Sequence, residues 1–171
     1  MVIVRICGGL GNQMFQFAFA KYVSLLKSDD IIKFDLSWFK DNQIDTKREF
    51  GLDIFDSNYE IATDNEIKNV KNSRSLVYRV VRKFSKNRLG YKKSHIIENI
   101  SPFPPKKWSK NLYLDGYWQK ESHLLRLGDD IHKLFQIKRS LSSKAYEILE
   151  KIKGTDSVSL HIRRGDYISN Q

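Results

Sequence analysis

Apolar positions along this chain follow two periods, and the alternation between them outlines an α/β fold. Residues 2–6, Val-Ile-Val-Arg-Ile, are mostly β-branched and read as a buried strand. Cys7-Gly8-Gly9-Leu10-Gly11 follows as a glycine-rich turn, with Asn12 placed to cap what comes next. Met14, Phe15, Ala18, Tyr22 and Leu25 or Leu26 then trace one helical face through about residue 27. Residues 31–36 predict a second strand that ends at Asp35. Residues 41–70 are polar and turn-rich, with short apolar pieces at Phe50, Leu52, Ile54 and Phe55. All three prolines fall within 100–111, which reads as loop. Leu112-Tyr113-Leu114 predicts a short strand running into Asp115-Gly116, and a helix is expected over about 120–127. A further helix starts at Ser142 or Ser143, sets Ala145, Ile148, Leu149 and Ile152 on one face, and stops at Gly154. Residues 157–162 predict one more strand, which breaks at Arg163-Arg164-Gly165-Asp166-Tyr167.

A length of 171 residues allows one ordinary domain, or one domain and part of a second. The late strand and its charged turn would normally lead into a helix and more sheet. The expectation is therefore a front part of a larger protein, with a second domain just begun. One cysteine excludes a disulfide-stapled scaffold. The opening apolar run is too short for a secretory signal, and no stretch approaches the roughly 18 apolar residues of a membrane helix. The expected compartment is cytosolic.

The net charge of +10 has one source. Residues 71–93 hold nine basic and no acidic side chains, while the other 148 residues carry 21 basic and 20 acidic. Leu76, Val77, Val80, Val81 and Phe84 give this segment the stripe of an amphipathic helix. Such a helix packs on a core with a solvated basic face, or rests on an anionic membrane surface. Nucleic acid is disfavoured, because no aromatic-interleaved binding motif accompanies the charge.

Two clusters carry candidate chemistry. Gly8-Gly9-Leu10-Gly11-Asn12-Gln13 lies between strand and helix, where backbone amides can approach a ligand near the positive end of a helix dipole. Met14 stands where a dinucleotide fingerprint needs its third glycine, and no Gly-Lys-Ser/Thr follows for a phosphate loop. Asn12 and Gln13 both donate and accept hydrogen bonds, which suits sugar hydroxyls. The plainer reading is a tight turn. The second cluster is His161-Ile162-Arg163-Arg164-Gly165-Asp166-Tyr167. Paired guanidinium groups at a strand tip match the oxygens of a diphosphate. The plainer reading pairs one arginine with Asp166 and leaves the other in water. Arg-Gly-Asp as an adhesion motif lacks the secreted context it needs.

Together these clusters resemble the α-1,2-fucosyltransferases of glycosyltransferase family 11. The resemblance rests on GGLGNQMFQFA at 8–18 and HIRRGDY at 161–167, with FDLSWF at 34–39, REFGLDIF at 48–55 and DGYWQ at 115–119 between them. It implies a GT-B-type fold: a Rossmann-like acceptor-side domain over 1–154, and at 155–171 the first strand of a GDP-sugar-binding domain. It implies inverting transfer of L-fucose from GDP-L-fucose to the 2-hydroxyl of a terminal galactoside, with no metal and no cofactor beyond the donor. His161, Arg163, Arg164, Asp166 and Tyr167 would then form the donor side, with Arg163 and Arg164 stabilising the departing diphosphate. Gly9, Gly11, Asn12 and Gln13 would line the sugar side. The base stays open among Asp115, Glu121, His161 and Asp166. Tyr117 and Trp118 are read either as core or as sugar-stacking rings. His95, His123 and His132 show no metal-ligand spacing and are read as ordinary core or surface residues. Basic residues 71–93 would suit peripheral contact with the inner face of a membrane.

Overall fold

The computed structural model describes residues 1–29, 31–41, 48–72, 80, 83, 92–138 and 140–160. Five strands form one parallel sheet in the order β3-β2-β1-β5-β4. They are β1 (Val2–Arg5), β2 (Ile32–Asp35), β3 (Glu60–Ile61), β4 (His95–Ile97) and β5 (Leu112–Asp115). The central strand β1 pairs with β2 through Val2↔Ile32 to Arg5↔Asp35, and with β5 through Val2↔Leu112 to Val4↔Leu114. Every ladder is parallel. A parallel sheet needs cover on both faces, and the side-chain alternation shows what covers each.

Val2, Val4, Ile32, Phe34, Leu112 and Leu114 form one face and pack with Phe17, Phe19, Ala20 and Val23 of α1 (Leu10–Lys27). Phe17 meets Phe34 edge-on at 5.0 Å, and Phe19 lies flat against Trp118 at 4.0 Å. α1 closes with Ser28 in the left-handed region at φ 52°, and the Ser28 amide donates to the Leu25 carbonyl. The opposite face carries Ile3 and Tyr113 against Ala62 and Val70. Val70 ends α3 (Asp64–Val70), which opens with a capping box between Thr63 and Glu66. Lys33 on this face bonds Glu66 at 2.7 Å and Glu60 at 2.8 Å. With the Thr63 amide, Lys33 holds the Glu66 carboxyl down to about 2.

The other short elements are α2 (Ser37–Asp41), a 3-10 turn at Leu52–Ile54, α4 (Glu121–Leu124) running into a second 3-10 turn at Leu125–Leu127, and α5 (Asp130–Leu134). α6 (Ser143–Lys153) starts at a Ser142 cap and buries none of its residues. The strand expected over 157–162 does not form across its described part. Residues 157–160 join no ladder, and Val158 and Leu160 are 98% and 84% exposed. A strand is stable only when a neighbour takes up its amides and a face takes up its side chains, and no described residue does either. The remainder of that strand, and nearly all of the amphipathic stripe from Leu76 to Phe84, lie outside the described residues.

Candidate functional site

β1 and β5 are neighbours, so the chain leaves both at the same carboxyl edge of the sheet. Strand order also reverses here, the usual place for a ligand crevice in an open parallel sheet. The last residues of β1 and β5 set a row of charge beneath that edge. Arg5 donates to Asp115 Oδ1 at 2.9 Å, and His95 Nε2 lies 3.4 Å from Asp115 Oδ2. His95 Nδ1 accepts from the Asn72 amide at 3.0 Å, which fixes the ring. Burial alone would push the Asp115 carboxyl up, but the adjacent His95 ring and the Arg5 guanidinium hold it down at about 2. On β2, Asp35 accepts from the Tyr113 hydroxyl at 2.6 Å and the Ser37 amide at 2.9 Å, with Lys71 Nζ at 3.3 Å. Its carboxyl is also held below the usual range: those bonds outweigh its burial.

Above this row sits the glycine turn. Gly8 has φ +78°, and a β-carbon there would lie 2.7 Å from Asn12 Nδ2. A β-carbon at Gly9 or Gly11 would meet nothing within 4 Å, so the outer side of the turn is open. α1 has no side-chain cap: its first turn closes with the Gln13 amide on the Gly9 carbonyl at 3.1 Å. The positive end of an 18-residue helix thus opens at the carboxyl edge of the sheet.

The second wall is the turn after β5. Glu98, just past β4, accepts from the Tyr117 amide at 2.7 Å and the Trp118 amide at 3.0 Å. Gly116 makes room for it, since a β-carbon there would lie 2.4 Å from Glu98 Cβ. Trp118 takes φ +58°, a strained conformation for a bulky residue, and its ring is held against Phe19. Gln119 Nε2 then donates to Asn12 Oδ1 at 2.7 Å. The motif at 8–18 and the one at 115–119 therefore meet side chain to side chain.

Gly9 and Gly11 stand on the open side of the turn, with Asn12 half-buried beside them. Gln13, expected to line the same side, turns inward. It is fully buried; Nε2 donates to the Gly8 and Glu49 carbonyls at 2.9 and 2.8 Å, and Oε1 accepts from the Gly51 amide at 3.0 Å. With its amide spent on backbone groups, Gln13 clamps the turn to residues 49–51. Gln16 plays a similar part, bonding the Cys7 amide and thiol. Trp118 is core and Tyr117 is exposed, so the core reading holds for Trp118 and not for Tyr117. His123 packs on Phe19 at 4.7 Å, as an ordinary aromatic would. His95 does more: it helps hold Asp115. Arg5, Glu98 and His95 carried no signal along the chain, because their partners lie 110, 19 or 20 and 20 positions away. His161, Arg163, Arg164, Asp166 and Tyr167 lie outside the described residues. Among the described residues no group of three His, Cys, Asp or Glu side chains is arranged to hold a metal ion, and no helix is long and apolar enough to cross a membrane.

Comparison with known proteins gives a consistent picture. A family profile described as "Glycosyl transferase family 11" matches residues 1–171. The chain is 31% identical over 175 residues to an Escherichia coli "Alpha-1,2-colitosyltransferase", covering 99% of this chain and 56% of that protein. It is 34% identical over 176 residues to the Escherichia coli "O-antigen biosynthesis glycosyltransferase WbnK", covering 95% of this chain and 58% of that protein. The chain thus spans a little over half the length of these relatives. No solved structure matches it.

Proposed function

The chain belongs to glycosyl transferase family 11, and we propose that it supplies the acceptor side of an enzyme moving L-fucose from GDP-L-fucose to the 2-hydroxyl of a terminal galactoside in surface-polysaccharide assembly. The observation that carries this reading is the junction of Asn12 with Gln119 over an open glycine turn, at the carboxyl edge of a parallel sheet. The donor and acceptor atoms that this amide pair leaves over suit a ligand made of hydroxyls.

The reaction joins the acceptor O2 to C1 of the sugar, breaks the bond from C1 to the diphosphate and inverts C1. Charge develops on the departing diphosphate, and the acceptor loses a proton. Arg163 and Arg164 would neutralise the diphosphate where other transferases use a metal, with His161, Asp166 and Tyr167 shaping that turn. Asp115 is a poor proton acceptor, because Arg5 and His95 keep it ionised at about 2. Its part is to fix the base of the second wall. Gly9, Gly11 and Asn12 would face the acceptor, and Gln13 holds the turn they stand on. Residues 1–154 would form the first domain of a GT-B-type protein and 155–171 the start of the GDP-sugar domain. The basic segment at 71–93 would rest on the cytoplasmic face of an anionic membrane; flotation that ignores anionic lipid would remove that part.

A second reading changes only the donor sugar, and it is favoured by the relative named for colitosyl transfer. A transfer assay on the protein at the length of its relatives decides between them. Methyl β-D-galactopyranoside is offered with GDP-L-fucose, GDP-mannose, other GDP-sugars or UDP-sugars. Transfer from GDP-L-fucose alone supports the first reading. Transfer from a different GDP-sugar supports the second, and no transfer from any donor sinks both.

A further inference from the structure

Tyr117 stands half-exposed in the turn after β5, at the carboxyl edge of the sheet. The rings around it are committed: Trp118 lies on Phe19 at 4.0 Å, and Phe103 packs on Phe19, Tyr22 and Trp108. Tyr117 makes no ring contact among the described residues and is 46% exposed. That leaves half of its surface open to a ligand. Nor is it loosely placed. Its backbone amide donates to Glu98 Oε2 at 2.7 Å. The backbone of the residue is therefore held, while its side chain stays half-open to solvent. The next residue carries the strain, with Trp118 at φ +58°. A backbone strain held by Glu98, Gly116 and Phe19 presents Tyr117 and Gln119 outward and buries the ring between them.

We propose that Tyr117 is the stacking platform for the acceptor sugar, with the Gln119–Asn12 amide pair reading hydroxyls at the edge of the same ring. This rests on the sugar-side reading given above. An aromatic face is electron-rich and attracts the weakly positive C–H groups of a pyranose. A β-galactopyranoside suits it. Its axial 4-hydroxyl leaves C3–H, C4–H and C5–H together on one face, whereas a glucoside breaks that patch. The amide pair spends one donor and one acceptor on itself, Gln119 Nε2 to Asn12 Oδ1. That leaves Asn12 Nδ2 to donate and Gln119 Oε1 to accept.

The test is an NMR titration of the 171-residue chain with methyl β-D-galactopyranoside and methyl β-D-glucopyranoside, followed on the Tyr ring and side-chain amide signals. Tyr117→Ala and Tyr117→Phe are run beside the parent, and circular dichroism checks their folding. Tyr117, Asn12 and Gln119 signals are expected to move with the galactoside and less with the glucoside. Tyr117→Ala should weaken binding by roughly 2- to 10-fold, and Tyr117→Phe by no more than about 3-fold. Galactoside binding unchanged in Tyr117→Ala, or shifts that avoid Tyr117, overturn the platform and leave the transferase reading intact. No shift with either sugar also overturns it, and the donor-panel assay then judges the transferase reading separately.

Discussion

Asn12 and Gln13 are adjacent amides, and the structure gives them opposite jobs. Replacing each by alanine should therefore separate stability from function. Gln13→Ala removes three hydrogen bonds of 2.8–3.0 Å. It leaves the Gly8 carbonyl and the Gly51 amide without their partner. At about 1 kcal/mol per bond, the loss is about 3 kcal/mol, and the cavity adds to it. For a chain of this size that lowers Tm by roughly 6–12 °C. Asn12→Ala removes one exposed bond to Gln119 and should cost less than about 1 kcal/mol. Its melting point should stay within about 3 °C of the parent. Thermal melts by circular dichroism, paired with urea titrations at equal slope, give both numbers. A Gln13→Ala protein that melts with the parent would refute the clamp. An Asn12→Ala protein that falls as far as Gln13→Ala would show that Asn12 too is spent on holding the turn.

Three further outcomes follow from the same geometry. The Asp115 carboxyl sits at about 2, below the ordinary 3.8, so its stabilisation is present above about pH 4 and is lost as pH falls from 4 towards 2. The gap between the parent and Asp115→Asn should be about 2 kcal/mol near pH 7 and shrink towards pH 2 in urea titrations; a gap that does not depend on pH contradicts the pairing with Arg5 and His95. Gly116→Ala puts a methyl 2.4 Å from Glu98 Cβ and should release the Tyr117 and Trp118 amides, costing about 2–3 kcal/mol; a melting point equal to the parent's would show that Glu98 moves aside freely. Arg163→Ala, in the protein at the length of its relatives, should slow transfer by the roughly 2.7–4 kcal/mol of one charge-stabilising donor, and unchanged turnover removes its assigned role.

Much of the fold is legible along the chain where an element is long or strongly patterned. β1, the glycine turn, α1, β2 and β5 lie where periodicity and turn chemistry put them, and so does the Ser142-capped α6. The edge strands were not legible. β3 has two residues and β4 three, too short for a period to declare itself. α3 had a readable signal in its Thr63–Glu66 capping box, but it lies in a stretch whose polarity reads as turns. Residues 157–160 show the converse, a strand pattern with no described neighbour to pair with. Within the site, the glycine turn was legible because its residues are contiguous. The division of labour inside it was not: nothing in Asn12-Gln13 tells which amide points at solvent and which at the Glu49 and Gly51 backbone. Arg5, His95 and Glu98 matter only through partners that the sheet brings to them.

Product analysis tests the central claim most directly. The protein at the length of its relatives is incubated with GDP-L-fucose and a β-galactoside, and the product is examined by mass spectrometry and NMR. The expected product is a galactoside carrying α-linked fucose on O2, formed by the parent and strongly reduced in Asn12→Ala despite its normal fold. A product linked elsewhere, or an Asn12→Ala protein as active as the parent, would contradict it.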